Sequence, residues 1–357
     1  MLSNLEEKYF KEITQLVGPS GCENNVAFYL KNEYERLGFE IVADNLGSIF
    51  AVKKSKNPNA KRVMVAGHLD EVGFYVVRIL ENGLVQCSPI GIHNLVALQG
   101  QRVVALNNKN EKIHGVIDAN YDLGSYEKTA LNAKGNLFDF GFNSKKEVIE
   151  SGINIGTPIT FEGNFECSYN KETLISKALD SRFGIILGLE LLNEIKDIEL
   201  PFDLYVGGTV QSEVANRGAN TASYMIKPDL SIVLETAPAK DYDSANGHGK
   251  VGAGVLVRIL DRTMIGFKSL LEFQLNALET LNIPHQSYET TLTSDTGNIH
   301  RNLDGIVTLS HGVCARNMHT PSALISVKDY EGCRDSLNYM IKELTNETIE
   351  SFKRRGL

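Results

Sequence analysis

Arg62-Val63-Met64-Val65-Ala66-Gly67-His68-Leu69-Asp70-Glu71-Val72 is the stretch on which the fold turns. Arg62 to Ala66, with the apolar run Val63 to Ala66, reads as a strand that leads into His68. Upstream, Leu5, Phe10, Ile13, Leu16 and Val17 are roughly helix-spaced, and Gly18-Pro19-Ser20-Gly21 breaks that pattern. A second helix carries Val26, Leu30 and Tyr34 on one face. Strands over Phe39 to Ala43 and Gly47 to Lys53 flank the turn Asp44-Asn45-Leu46-Gly47. Downstream of Val72 the texture changes. Phe74 to Leu80 and Leu84 to Ser88 flank Asn82-Gly83, a hairpin signal. Arg102 to Leu106, Lys112 to Asp118 and Gly156 to Glu162 read as further short strands, and Lys145 to Ser151 reads as a helix. Strands at this close spacing suggest a small β-barrel or sandwich.

Helix–strand alternation resumes at Asp180. The pattern predicts helices over Arg182 to Glu194, Phe267 to Leu281 and Val327 to about Glu350. It predicts strands over Asp203 to Thr209, Leu230 to Leu234 and Ile306 to Ser310. The expected architecture is therefore α/β: a mixed sheet flanked by helices, split in sequence as residues 1–72 and 167–357, with a small β-barrel domain, 73–166, inserted after His68.

The bulk numbers bound the function. The 357 residues suit two domains, and 42% hydrophobic with 22% charged residues is an ordinary globular composition. A net charge of -8 argues against a nucleic-acid partner. Cys22, Cys87, Cys167, Cys314 and Cys333 are scattered and odd in number, which suggests free thiols in a reducing cytoplasm. Met1 to Lys11 holds no apolar run, so neither a signal peptide nor a membrane span is expected.

Five side chains with metal-ligand chemistry stand in short motifs: His68 in Gly67-His68-Leu69-Asp70, Asp180 in Lys177-Ala178-Leu179-Asp180, Glu213 in Gln211-Ser212-Glu213-Val214, Glu235 after Val233-Leu234, and His319 in Met318-His319-Thr320-Pro321. Two imidazoles and three carboxylates are the ligand set of a two-metal hydrolase, and zinc or cobalt suits such mixed nitrogen and oxygen donors. Asp70 is placed to orient the His68 ring. His68, Glu213 and Glu235 follow predicted strands, and ligands of open α/β sheets gather at the carboxyl ends of strands. Taken singly, each residue has an ordinary alternative. Asp180 could cap a helix, Glu213 could be a solvated charge, and His319 could be a loop histidine.

In order along the chain, these motifs resemble the di-zinc aminopeptidases that include glutamyl aminopeptidase and the tetrahedral, cellulase-M-like aminopeptidases. The resemblance also rests on Leu16-Val17-Gly18-Pro19-Ser20-Gly21-Cys22-Glu23, Asp44-Asn45-Leu46-Gly47, Arg217-Gly218-Ala219, Ser294-Asp295 and Gly312-Val313-Cys314-Ala315-Arg316, the last closest to the glutamyl branch. It implies a zinc-exopeptidase-like fold with two bound metals. Asp180 would bridge them, with His68 and Glu235 completing one site and Glu213 and His319 the other. It implies that the inserted barrel serves dimerisation, and that the chain forms a homo-oligomer from dimer up to dodecamer and acts on short peptides. Three departures stand out. The family's Gln-Glu-Glu-Val-Gly is here Gln211-Ser212-Glu213-Val214-Ala215, so Ser212 occupies the general-base position. The usual metal-binding Asp is Glu235. The aromatic of the family's Arg-Tyr-x-His is Asn317. Glu71 is the reserve candidate for a base.

These features favour a metal-dependent aminopeptidase that removes N-terminal residues, acidic ones among them, from peptides, with activity lowered at Ser212. Two alternatives stay open: a catalytically inactive metal-binding or assembly homologue, and a metal-dependent hydrolase of another amide.

Overall fold

The computed structural model describes residues 2–93, 97–118, 136–242 and 249–353. Its centre is an eight-stranded mixed sheet. Across the sheet the strands run Glu40–Ala43, Ile49–Lys53, Asp203–Thr209, Arg62–His68, Leu230–Pro238, Val307–Ala315, Val255–Leu260 and His285–Glu289. The middle four are mutually parallel. Arg62–His68 shows why its sequence lacks alternation. Val63 and Val65 pack into the larger core, while Met64 and Ala66 pack into a second core on the opposite face. The larger core lies under the helices Asn4–Ile13, Asn24–Leu37, Leu179–Ile195, Lys268–Thr280 and Val327–Glu343. The smaller core lies under Arg217–Ile226 and Asp295–His300. No helix among the described residues is long and apolar enough to cross a membrane.

Between Gly73 and Phe161 six strands close into a barrel in the order Gly73–Ile79, Val85–Ile90, Asn136–Asp139, Lys112–Ile117, Arg102–Leu106, Pro158–Phe161. Closure leaves no unpaired strand edge. Phe74, Val76, Cys87, Val103, Phe138 and Phe161 fill its interior. Gly83 takes the left-handed φ of 88° that the Asn82-Gly83 turn requires.

Several elements differ from the pattern-based expectation. The strand expected to stop at Leu234 runs to Pro238, which puts Glu235 inside it. The strand expected to stop at Ser310 runs to Ala315. The last helix ends at Glu343 because Leu344 is extended, and Thr345 caps a new helix, Asn346–Ser351, by accepting from the Thr348 N–H. The strands Val255–Leu260, His285–Glu289, Thr173–Ser176 and Ala323–Ser326 and the helix Arg217–Ile226 carry no period strong enough to be read.

The sheet and the Leu179–Ile195 helix approach closely where the site forms. A β-carbon on Gly67 would lie 2.9 Å from the Gly184 and Ile185 backbone, and one on Gly184 would lie 2.3 Å from the Leu234 carbonyl. Glycine at both positions lets the helix start directly above the ends of two strands. Gly184→Ala is expected to destabilise the fold by about 1–3 kcal/mol through overpacking. Denaturant unfolding measures this; an unchanged midpoint would show that the contact is not tight.

Candidate metal centre

The sequence motifs converge on one cleft of about 300 Å³, whose wall includes His68, Asp180, Ser212, Glu213, Glu235 and His319. His68 ends the strand Arg62–His68, in register with Thr209 of the neighbouring strand. That strand leads into the turn holding Ser212 and Glu213. Asp180 opens the Leu179–Ile195 helix, and His319 lies in the loop after Val307–Ala315. His319 and Ala178 both sit in the left-handed region, at φ of 60° and 54°. Such conformations in non-glycine residues concentrate at functional sites.

Asp180 is the hub. Its Oδ1 lies 3.7 Å from His68 Nε2 and its Oδ2 lies 3.0 Å from His319 Nε2, so one carboxylate faces two imidazoles. Thr236 Oγ1 donates to Oδ1 at 2.8 Å. Glu213 Oε1 lies 3.4 Å from His319 Nε2 and is buried without a hydrogen-bond partner. Among the described residues, His68, Asp180 and Glu213 offer ligand atoms all within 4.8 Å of one another. Both rings point Nε2 inward. His68 Nδ1 is 3.1 Å from the Asp70 carbonyl oxygen, and His319 Nδ1 is 2.8 Å from that of Ile92. A ring that donates Nδ1–H to a carbonyl keeps its Nε2 lone pair for a metal.

Asp70 supports the site more broadly than the sequence suggests. Its Oδ1 lies 3.4 Å from His68 Nδ1 and accepts from the Ser212 N–H at 3.0 Å. Its Oδ2 accepts from the Glu213 N–H at 2.9 Å and from Ser20 Oγ at 2.6 Å. It therefore ties the His68 strand to the Ser212–Glu213 turn.

The electrostatics favour a cation. Burial raises the Glu213 carboxyl to about 7, with Asp180 and Asp70 adding to the shift. Burial opposes charge on the imidazoles, yet carboxylate contacts outweigh it. His319 is raised to about 9, chiefly by Asp180 and Glu213, and His68 well above its usual value by Asp180 and Asp70. Asp180 is held below the usual carboxylate range despite its burial, because His319 hydrogen-bonds it and the His68 imidazole stands close by. In each case a proton stands where a divalent ion would serve the same carboxylates. The orphaned Glu213 oxygen, the inward Nε2 atoms and the mixed donor set fit a metal ion.

Two expected site residues are otherwise engaged. Glu235 Oε1 lies 2.8 Å from Arg258 Nη1 and accepts from Ser310 Oγ at 2.5 Å. Ser212 Oγ lies 2.8 Å from Asp295 Oδ1 and 3.1 Å from Asn216 Oδ1. Glu71 is locked between Lys177 and Arg182, at 2.7 and 3.1 Å, and so is not free to act as a base. Ala215 adopts a φ of 67°, a conformation in which a glycine would be unstrained. Sequence reasoning missed Arg258, Ser310 and Thr236, which stand in apolar strand contexts that carry no sign of a site. It also missed the part of Asp295, although Ser294-Asp295 is among the motifs.

Comparison with known proteins places the chain in a family. The profile of the M42 glutamyl aminopeptidase family matches residues 47–335. The glutamyl aminopeptidase of Lactococcus lactis subsp. cremoris is 32% identical over 347 residues, 96% of this chain and 98% of that one. A TET aminopeptidase from the marine sediment archaeon Thaumarchaeota archaeon SCGC AB-539-E09 superposes with a TM-score of 0.92 at 32% identity, covering 98% of this chain and 99% of the other. The TET1 peptidase of Pyrococcus horikoshii, which can assemble into a tetrahedron or a large octahedral shell, shares the fold at a TM-score of 0.85 and 22% identity, covering 95% and 100%. The chain belongs to the M42 glutamyl aminopeptidase family, whose members are metal-dependent hydrolases.

Zinc at about a hundred times its Kd is expected to stabilise the chain by about 2.7 kcal/mol, read as a rise of several degrees in Tm. Glu213→Gln and His319→Ala should each abolish most of that rise. A zinc-induced shift that persists in both variants would place the ion elsewhere.

Proposed function

We propose that this chain removes N-terminal residues from short peptides, with preference for acidic ones, at a metal centre of zinc or cobalt held by Asp180, Glu213, His68 and His319. The observation that carries this reading is the Asp180 carboxylate facing both imidazoles beside the unpartnered Glu213 oxygen. A metal bound there would supply Lewis-acid polarisation of the scissile carbonyl and of the attacking water. The chain's own residues do the rest. Asp70 holds the His68 ring and the Ser212–Glu213 turn in place. The cleft wall carries Arg258 and Arg262 among the hydroxyls of Thr290, Thr293 and Ser294. Arg262 is exposed, so its charge is available to a carboxylate side chain of the substrate.

Ser212 stands where the resemblance puts the general base. A serine hydroxyl takes no proton near neutral pH, Glu213 is needed as a ligand, and Glu71 is locked by its two cations. Activity is therefore expected to be low. Ser212→Glu should raise kcat by up to about 10²–10⁴, the contribution of a positioned base. Hydrolysis of glutamyl, aspartyl, leucyl and lysyl p-nitroanilides by both proteins measures this. Robust metal-dependent cleavage by the unmodified chain would reveal another base. A folded, metal-loaded Ser212→Glu variant without gain would favour the second reading, a metal-binding or assembly homologue without catalysis. That reading draws support from the Ser212 hydroxyl, which is already engaged with Asp295 and Asn216.

The barrel is proposed to mediate dimerisation within a homo-oligomer. Support comes from the assembly of the Pyrococcus horikoshii relative and from Val77, Ile149 and Ile155, which leave apolar surface outside the barrel core. Light scattering at micromolar protein is expected to give a mass well above 39.4 kDa, and a monomer alone would refute it. The five free cysteines support a cytoplasmic location.

A further inference from the structure

We propose that this chain holds one divalent ion rather than two, because the buried guanidinium of Arg258 takes over the carboxylate that a second ion would need. The inference rests on the metal-centre reading above. Glu235 would be the third donor of the second position, beside His68 and Asp180. Its carboxylate is instead held by Arg258 Nη1 at 2.8 Å and by Ser310 Oγ at 2.5 Å.

The strand order explains how the pair forms. Val307–Ala315 lies between the strands carrying Glu235 and Arg258. In it Gly312 is in register with Glu235 on one side and with Leu256 on the other. Side chains two apart along a strand share a face, so Arg258 stands on the same face as Leu256. Gly312 puts no side chain between the two columns, and the glutamate, one methylene longer than an aspartate, reaches across.

Arg258 is not poised to leave. It is 3% exposed, and its Nη1 also lies 3.1 Å from Ser294 Oγ and 3.7 Å from Asp261 Oδ2. Its guanidinium stacks over the Tyr288 ring at 5.8 Å. An arginine stays charged at every working pH. An ion drawing Glu235 away would leave that charge buried with a weaker partner and would sit close to a like charge. One dication would answer Asp180 and Glu213, while the Arg258 guanidinium is shared between Glu235 at 2.8 Å and Asp261 at 3.7 Å.

Metal stoichiometry tests this without reference to activity. The whole chain is stripped with a chelator, reloaded with excess zinc sulfate, desalted, and assayed for zinc by mass spectrometry, with titration calorimetry giving the number of sites. One zinc per chain is expected. The double variant Glu235→Asp with Arg258→Met should rise to two, and Arg258→Lys, which keeps the charge, should stay at one. Two tight zinc ions in the unmodified chain would overturn this inference and leave the metal centre standing. No bound zinc would overturn the metal centre and this inference with it. A double variant that melts as a folded protein yet still binds one zinc would show that Arg258 is not what excludes the second ion.

Discussion

The site depends on a buried ion cluster that is not itself in the cleft. Glu71 receives Lys177 Nζ on both oxygens at 2.7 Å and Arg182 Nη2 at 3.1 Å, and all three side chains are almost fully excluded from water. Arg182 spends its remaining donors on backbone carbonyls: Leu69 at 3.1 Å, Ile13 at 2.9 Å and Leu16 at 2.6 Å. One guanidinium thus joins the end of the first helix, the segment after His68 and the helix that begins beside Asp180. Burial lowers the Lys177 ammonium to about 8, with Glu71 opposing the shift. Removing any one partner would leave an uncompensated buried charge, which typically costs about 3–5 kcal/mol. The cluster ties the segments that carry His68 and Asp180, since Glu71 and Arg182 are close neighbours of those two residues in the chain.

Around that anchor the cleft divides into two electrostatic halves. In one, Asp180, Glu213 and two imidazoles are arranged with more acceptor capacity than the protein itself satisfies. In the other, Glu235, Arg258, Ser310, Ser294 and Asp261 are joined by ion pairs and hydrogen bonds, with Arg258 Nε left without a hydrogen-bond partner. Ser212 lies at the boundary and is hydrogen-bonded towards Asp295, whose other oxygen accepts from Thr209 Oγ1 at 2.5 Å. The departures at Ser212 and Glu235 are therefore not scattered substitutions. They lie along one rim, and each side chain has acquired a partner from the protein.

Much of the fold was legible because its strands obey simple rules. Val63 to Ala66 is apolar throughout because both faces are covered, and the change to short hairpins after Val72 marks the barrel. Elements without a strong period, such as Val255–Leu260 and Arg217–Ile226, were not legible. Their residues are chosen for contacts with distant segments rather than for a local pattern. Arg258 is the clearest case: between Val257 and Ile259 it carries no sign of a site, yet it is buried against two carboxylates.

By itself the sequence determined a mixed α/β sheet flanked by helices, an inserted small barrel, and a set of candidate ligand side chains, because periodicity and ligand chemistry are written residue by residue. Only the tertiary structure decided which of those side chains meet. Asp180 faces His68 and His319, Glu213 stands beside them with an unpaired oxygen, Glu235 turns to Arg258, and Glu71 is consumed by Lys177 and Arg182. The reason is physical. A carboxylate's role is set by the nearest charge within a few ångströms, and strand order and helix placement supply that charge from segments up to more than a hundred residues away in the chain.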